Sequence, residues 1–399
     1  MAARELVAAL RDRDIVCVGF ADWRSTLWTN QQHLMSRLAA ENRVLFIESL
    51  GLRRPTLAGR DVRRIASRLG RGLRGPREAE AGVEVLSPLV LPFHGSRLVG
   101  DFNRRLLPLL VRRAMHRLGM RGDVLWAYVP QAEVLLDELE PRVVVYHCVD
   151  DIAAQEGVDA RAFRAAEDRF ARRADLVLAS APPLARRMRE LAPNVLYAPN
   201  VADHDLFSRA LEAGPVDPAL EALSAPRVVF TGAIVATKID VRLVAELARL
   251  RPDWSFALVG PVGEGDPRTD VSALHDVPNL HLLGARAYAE LPAVLRGAAA
   301  AMIPYAVNEL TSSIFPMKVY EYLSAGLPVV ATPLASLERV EGVTIAAGAE
   351  EFAECLSELI EGDDGGRRAA RSALAARHSW DTRLEEIAAA FERLPEKAA

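Results

Sequence analysis

A chain of 399 residues is longer than a single hydrophobic core usually supports, so two domains are expected. With 50% hydrophobic and 26% charged residues it is neither a disordered nor a fibrous protein. The net charge of −4 conceals a division: up to Pro199 the chain carries 31 basic and 24 acidic side chains, and beyond it 18 and 29, so the two halves should meet different partners.

Near the N-terminus Arg4, Glu5, Arg11, Asp12, Arg13 and Asp14 leave no long apolar run between them, and neither a signal peptide nor a membrane span is expected there. Short β-branched runs then alternate with Ala/Leu/Arg-rich stretches of helical period, the pattern of parallel strands joined by crossover helices. In the first half strands are expected at Ile15–Phe20, Val44–Glu48, Val83–Ser87, Val124–Tyr128, Val143–His147, Leu176–Ala179 and Val195–Ala198. Between the second and third lies Arg53–Arg77, with nine arginines, four glycines and two prolines, read as a projecting loop. A second basic stretch, Arg104–Arg121, holds six arginines.

The series restarts with Val228–Thr231, Ser255–Val259, Leu280–Leu283, Ala300–Pro304, Val329–Ala331 and Val343–Ala346. The expectation is therefore an α/β protein of two doubly wound Rossmann-like domains facing a central cleft, residues 1–199 and 200–379. A closing amphipathic helix at 380–394 carries Trp380, Leu384, Ile387 and Phe391 on one face and is expected to pack back on the first domain. Ligands of such sheets gather beyond the carboxyl ends of the strands, so the segments that follow each strand are where chemistry is sought. Cys17, Cys148 and Cys355 are odd in number and far apart, which argues against a disulfide framework or a zinc site and fits a reducing cytoplasm.

The chain has 46 arginines and three lysines, and two of those lysines fall at strand-to-helix junctions of the second half. Lys238 follows Gly232-Ala-Ile-Val-Ala-Thr, and Lys318 opens the helix that leads to Glu321. A lysine at such a junction can serve as a compact charge for a phosphate, aided by the positive end of the helix; the alternative is a solvated surface lysine. Thr311-Ser312-Ser313-Ile314-Phe315-Pro316-Met317-Lys318 adds hydroxyls and backbone donors for a diphosphate, or else simply caps a helix.

The run Ser313-Ile-Phe-Pro-Met-Lys-Val-Tyr-Glu-Tyr-Leu-Ser-Ala-Gly-Leu-Pro-Val-Val-Ala-Thr resembles the donor-binding signature of glycosyltransferase family 4. Asn200-Val-Ala-Asp203, Phe230-Thr-Gly232, Leu258-Val-Gly260 and Asn279-Leu-His-Leu-Leu-Gly284 resemble further family segments in the same order. In the first half only Val145-Tyr-His147 and Asp175-Leu-Val-Leu-Ala-Ser180 are similar. Within the family the likeness leans to bacterial cell-surface polysaccharide members of the teichuronic-acid type. It implies the two-domain GT-B fold, a nucleotide-sugar donor, no metal requirement and retention of anomeric configuration.

Residue by residue, the resemblance implies that Lys238, beside Gly232 and with Lys318, neutralises the donor diphosphate and that Glu321 binds the ribose hydroxyls. It implies that backbone N–H groups of Ser313, Ile314 and Phe315, next to Ser312, hold diphosphate and sugar, that the segment after Gly284, including Arg286, meets the base, and that His147 is an active-site histidine. Two positions depart from the pattern. Ser313 stands where the family has an acid, the nearest upstream acid being Glu309, and Ala233 stands where many members have arginine.

On the acceptor side Trp23, Trp28 and Asn30 follow the first strand, suited equally to sugar contacts and to core packing, and Asp150 beside His147 offers hydrogen bonds. Asp203-His-Asp205 imitates a metal motif but sits in the interdomain linker, and the glycines of Gly260-Pro-Val-Gly-Glu-Gly265 are in the wrong order for a dinucleotide loop. The expected activity is hexosyl-type glycosyl transfer with a nucleotide-sugar as substrate, no cofactor and no bound metal. The acceptor is expected to be a sugar, lipid-linked or small molecule, with an anionic membrane surface as a partner and no nucleic acid. An epimerase or non-glycosidic coupling enzyme on the same fold, or a non-catalytic sugar-nucleotide-binding subunit, are the alternatives.

Overall fold

The computed structural model describes residues 10–25, 27–49, 75–88, 97–155, 157–264, 266 and 268–395, with side chains omitted at 97–102. Most of the arginine-rich Arg53–Arg77 segment lies outside the described residues. The chain divides into two compact units, one of Met1–Ala198 with Leu384–Ala399 and one of Pro199–Arg383.

Unit 1 is built on β1 (Asp14–Val18), β2 (Arg43–Ile47), β3 (Arg77–Glu80), β4 (Val83–Leu86), β5 (Val124–Ala127), β6 (Val143–Cys148), β7 (Leu176–Ala179) and β8 (Val195–Tyr197). They lie in the order β3-β4-β2-β1-β5-β6-β7-β8, all parallel except the β3–β4 pair. β1, β5 and β7 are buried along their whole length, as strands covered by helices on both faces must be, and this is why they read as continuous apolar runs. Each strand expected from the sequence is present within two residues of its ends. β3 is the exception: its sequence, Arg-Glu-Ala-Glu, has no apolar pattern, and it pairs only at the sheet edge, where charge discourages further pairing.

Unit 2 carries β9 (Arg227–Thr231), β10 (Ser255–Val259), β11 (Leu280–Leu282), β12 (Ala300–Ile303), β13 (Val329–Ala331) and β14 (Val343–Ile345). The order β11-β10-β9-β12-β13-β14 is the 3-2-1-4-5-6 arrangement of a nucleotide-binding sheet, with every pair parallel. The closing helix, Trp380–Glu392, begins in unit 2 and ends in unit 1, where the Phe391 ring stacks on Trp126 at 6.2 Å. Cys17, Cys148 and Cys355 are free thiols.

Candidate functional site

In unit 2, β9 has β10 on one side and β12 on the other. The chain leaves this strand in opposite directions on its two sides, and ligands of doubly wound sheets bind beyond the carboxyl end of such a strand. Gly232, the first residue there, has φ of +125° and donates its N–H to the Val259 carbonyl at 2.8 Å. Gly260 comes so close that a Cβ on it would lie 1.9 Å from the Gly232 oxygen. Only two glycines allow the strand ends to meet in this way.

The loop after Gly232 is stitched to both neighbouring strand ends. Ile234 N–H donates to Pro261 O at 2.9 Å, Asp240 N–H to Pro304 O at 2.8 Å, and Ala306 N–H to Lys238 O at 2.8 Å. Asn308 Nδ2 adds a bond to Thr237 O at 3.0 Å. Lys238 is thereby fixed through its backbone beside the end of β12, its side chain part-buried.

The helix Lys318–Ser324 completes the site. Spacing of three and four residues puts Lys318, Glu321 and Tyr322 on one face. The Tyr322 hydroxyl accepts the Thr231 N–H at 2.8 Å and lies 3.2 Å from Thr231 Oγ1, which anchors the helix to the last residue of β9. Lys318 reaches back to Gly232, where a Cβ would stand 2.3 Å from its Cε and 2.5 Å from its Nζ. Its Nζ also lies 5.7 Å from the centre of the Phe230 ring, within range of a cation–π attraction.

Burial lowers the pKa of Lys318, opposed by the charge of Glu321, and burial raises that of Glu321, opposed by Lys318. Glu321 is 6% exposed, and no donor among the described residues hydrogen-bonds its carboxylate. Hydroxyl donors on a ligand would suit an acid held in this way.

The approach to the helix supplies N–H groups, though not the three expected from the sequence. Thr311 O already accepts from Ser313 and, at 3.1 Å, from Ile314. The N–H groups that meet no acceptor among the described residues are those of Phe315, Met317 and Lys318. Carbonyl contacts hold the turn open: Ile314 O accepts from Ser336 Oγ at 2.6 Å and Phe315 O from Asn200 Nδ2 at 2.8 Å. Ser312 Oγ is turned away to Glu309 O at 2.8 Å, and Asn308, not Thr311, caps the short helix Glu309–Ser312. Ser313 is buried and closes that helix.

Arg286 lies elsewhere in its bonding. Its Nε and Nη2 grip Asp217 at 2.6 and 3.1 Å, and Nη1 donates to Leu283 O at 2.8 Å. The Arg286 hydrogen bonds hold the Asp217 carboxyl below the usual carboxylate range. The guanidinium thus braces the turn after Gly284. Asp203 accepts from Leu206 N–H at 3.1 Å, a turn cap.

In unit 1 the strand at the corresponding position is β1, between β2 and β5. Its end is packed with aromatic rings. Trp23, 3% exposed, meets Phe46 edge-on at 4.9 Å and Trp28 at 5.7 Å, so core packing accounts for it. Trp28, part-exposed, also lies 5.3 Å from the His33 ring. Asn30 Oδ1 accepts from the Tyr128 hydroxyl at 3.1 Å. His147 falls inside β6, 2% exposed, stacked on Tyr128 at 4.8 Å, while Asp150 follows the strand part-buried. Burial, with the Arg37 charge adding to it, lowers the His33 pKa to about 3.

Residues 225–362 match the family Glycosyl transferases group 1. The chain is 25% identical over 305 residues to TuaH of Bacillus subtilis (strain 168), a protein assigned to teichuronic acid biosynthesis as a glycosyltransferase; the match covers 72% of this chain and 76% of that one. Among solved structures it is similar to sucrose-phosphate synthase of Thermosynechococcus elongatus, with a TM-score of 0.67, 13% identity and coverage of 96% and 99% of the two chains. It is also similar to HepE of Anabaena in complex with UDP and glucose, with a TM-score of 0.63, 17% identity and coverage of 95% and 99%. The fold is the GT-B architecture of two Rossmann-like domains, and the chain is a glycosyltransferase.

Proposed function

Proceeding from the group 1 domain at residues 225–362, we propose that the chain moves a hexosyl group from a nucleotide-diphosphate donor to an acceptor hydroxyl, with retention and without a metal. The observation that carries this reading is Glu321, buried and without a hydrogen-bond donor, one helical turn from Lys318 at the end of β9. Glu321 accepts hydrogen bonds from the ribose hydroxyls. The amides of Phe315, Met317 and Lys318, with the ammonium groups of Lys318 and Lys238, hold the diphosphate, and Gly232 lets it approach the backbone. Charge developing on the departing diphosphate is stabilised by donors already in place, the arrangement that lowers a barrier most effectively.

The backbone after Gly284, braced by Arg286, borders the base. UDP is the first nucleotide to try, since HepE is described with UDP and with UDP-glucose. Acceptor binding is assigned to unit 1, with Trp28 and Asp150 as contacts and Trp23 and Asn30 shaping the surface. His147 enters as a positioning residue, because its ring is stacked within the unit. The acceptor is a sugar, lipid-linked or small molecule. Ligand that binds the native state raises the melting temperature by mass action. A panel of nucleoside diphosphates, followed by product analysis with the matching nucleotide-sugar, is therefore the test. The reading expects one base to stabilise the protein and its sugar to reach an acceptor; stabilisation without transfer to any acceptor would favour a non-catalytic sugar-nucleotide-binding subunit, the role that Ser313 in place of the family acid would permit.

A further inference from the structure

The helix Arg97–Leu118 of unit 1 is 22 residues long, a rod of roughly 33 Å. Leu107, Val111, Ala114 and Met115 fix its orientation by packing into the core. It contains six arginines and one acid, Asp101, and the five arginines from Arg104 to Arg117 are exposed. Arg105, Leu109 and Arg113 are spaced four apart and so form one stripe along the outward side. Leu109 is 56% exposed.

Among the described residues, charge on neighbouring elements cancels only the edges of this face. Arg112 pairs with Glu138 at 3.1 Å, both side chains exposed, and Arg117 acts on Glu84. Neither Arg105 nor Arg113 pairs with an acid among the described residues. Single exposed leucines are ordinary on protein surfaces. Here the leucine stands between two guanidinium groups, one turn above and one turn below, that pair with no acid among the described residues.

We propose that this stripe docks unit 1 on an anionic lipid surface. An in-plane helix gains from both parts of the stripe: an apolar side chain enters the headgroup boundary, and long basic side chains on either side reach lipid phosphates. A nucleic acid would use the arginines and gain little from Leu109, and single-strand binding would call for exposed aromatic rings, which the stripe lacks. The proposal does not depend on the donor site of unit 2.

The test is co-sedimentation of the full chain with vesicles of phosphatidylcholine alone or mixed with phosphatidylglycerol. Binding is expected only with phosphatidylglycerol and should weaken as salt rises. The double variant Arg105→Gln/Arg113→Gln should lose roughly thirtyfold in partitioning, and Leu109→Gln several-fold, with the melting temperature unchanged because the three side chains are exposed. Absence of phosphatidylglycerol-dependent binding, or binding that the double variant retains, overturns the proposal. Binding of duplex DNA without vesicle binding, lost in the same variant, would reassign the face to nucleic acid.

Discussion

The two sheets share a topology and differ in what they leave at the end of the central strand. Beyond β1 the side chains are committed to one another: Trp23 to Phe46 and Trp28, Asn30 to Tyr128, and His147 to Tyr128. Beyond β9 the protein leaves Glu321 without a donor, Lys318 resting against a glycine and three N–H groups without acceptors among the described residues. One end is packed with aromatic rings, and the other gathers an ammonium, a carboxylate and several N–H groups at a single strand end. The donor site of this fold is thus recognised by charged and N–H groups gathered at one strand end, in addition to strand order.

The largest effect should come from the aromatic end. His33 is neutral in the folded chain, with a pKa of about 3, whereas an unfolded histidine titrates near 6.5. Below that value the unfolded chain binds the extra proton, so stability should fall with pH from about 6.5 toward 3, by on the order of 4 kcal/mol in full. Denaturant titrations at a series of pH values should show this slope, and His33→Gln should flatten it. A slope unchanged in the variant would remove His33 as its cause.

Next in size are the ligand groups of unit 2. Lys318→Ala should weaken nucleoside diphosphate binding by about 1.5–3 kcal/mol, the worth of one charge-assisted contact, with little change in stability. Glu321→Gln should cost more with a ribonucleotide than with its 2′-deoxy analogue. Calorimetric titration checks both; donor affinity unchanged in both variants would sink the assignment.

The same pair predicts a pH profile. Burial raises the Glu321 pKa and lowers that of Lys318. The productive form therefore protonates at Glu321 above the ordinary acid range and loses its Lys318 proton below the ordinary lysine range. A bell for kcat/KM, narrower than free side chains would give, is expected, with the acid limb absent in Glu321→Gln.

The smallest effect tests the anchor. Tyr322→Phe removes the acceptor of the Thr231 N–H and should cost about 1 kcal/mol of stability, while raising KM for the donor. Unchanged KM would mean that the helix finds its place through packing alone.

The strands were legible because parallel strands buried on both faces must be apolar throughout, and β3 was hidden because an edge strand need not be. Lys318 and Glu321 stood out through the scarcity of lysine and the motif around them. Tyr322 did not, since its partner is a backbone N–H 91 residues away. The pairing of Arg286 with Asp217, 69 residues upstream, was hidden for a similar reason. Which amides stay available depends on the turn at Thr311, and composition carries no trace of it.

The contrast between the two strand ends is tested most directly by amide hydrogen exchange of the full chain with and without a saturating nucleoside diphosphate, UDP first. Protection is expected at Gly232–Lys238 and at Phe315–Glu321, with none at Trp23–Asn30. Protection confined to Trp23–Asn30, or spread equally over both, would contradict the assignment of the donor to unit 2.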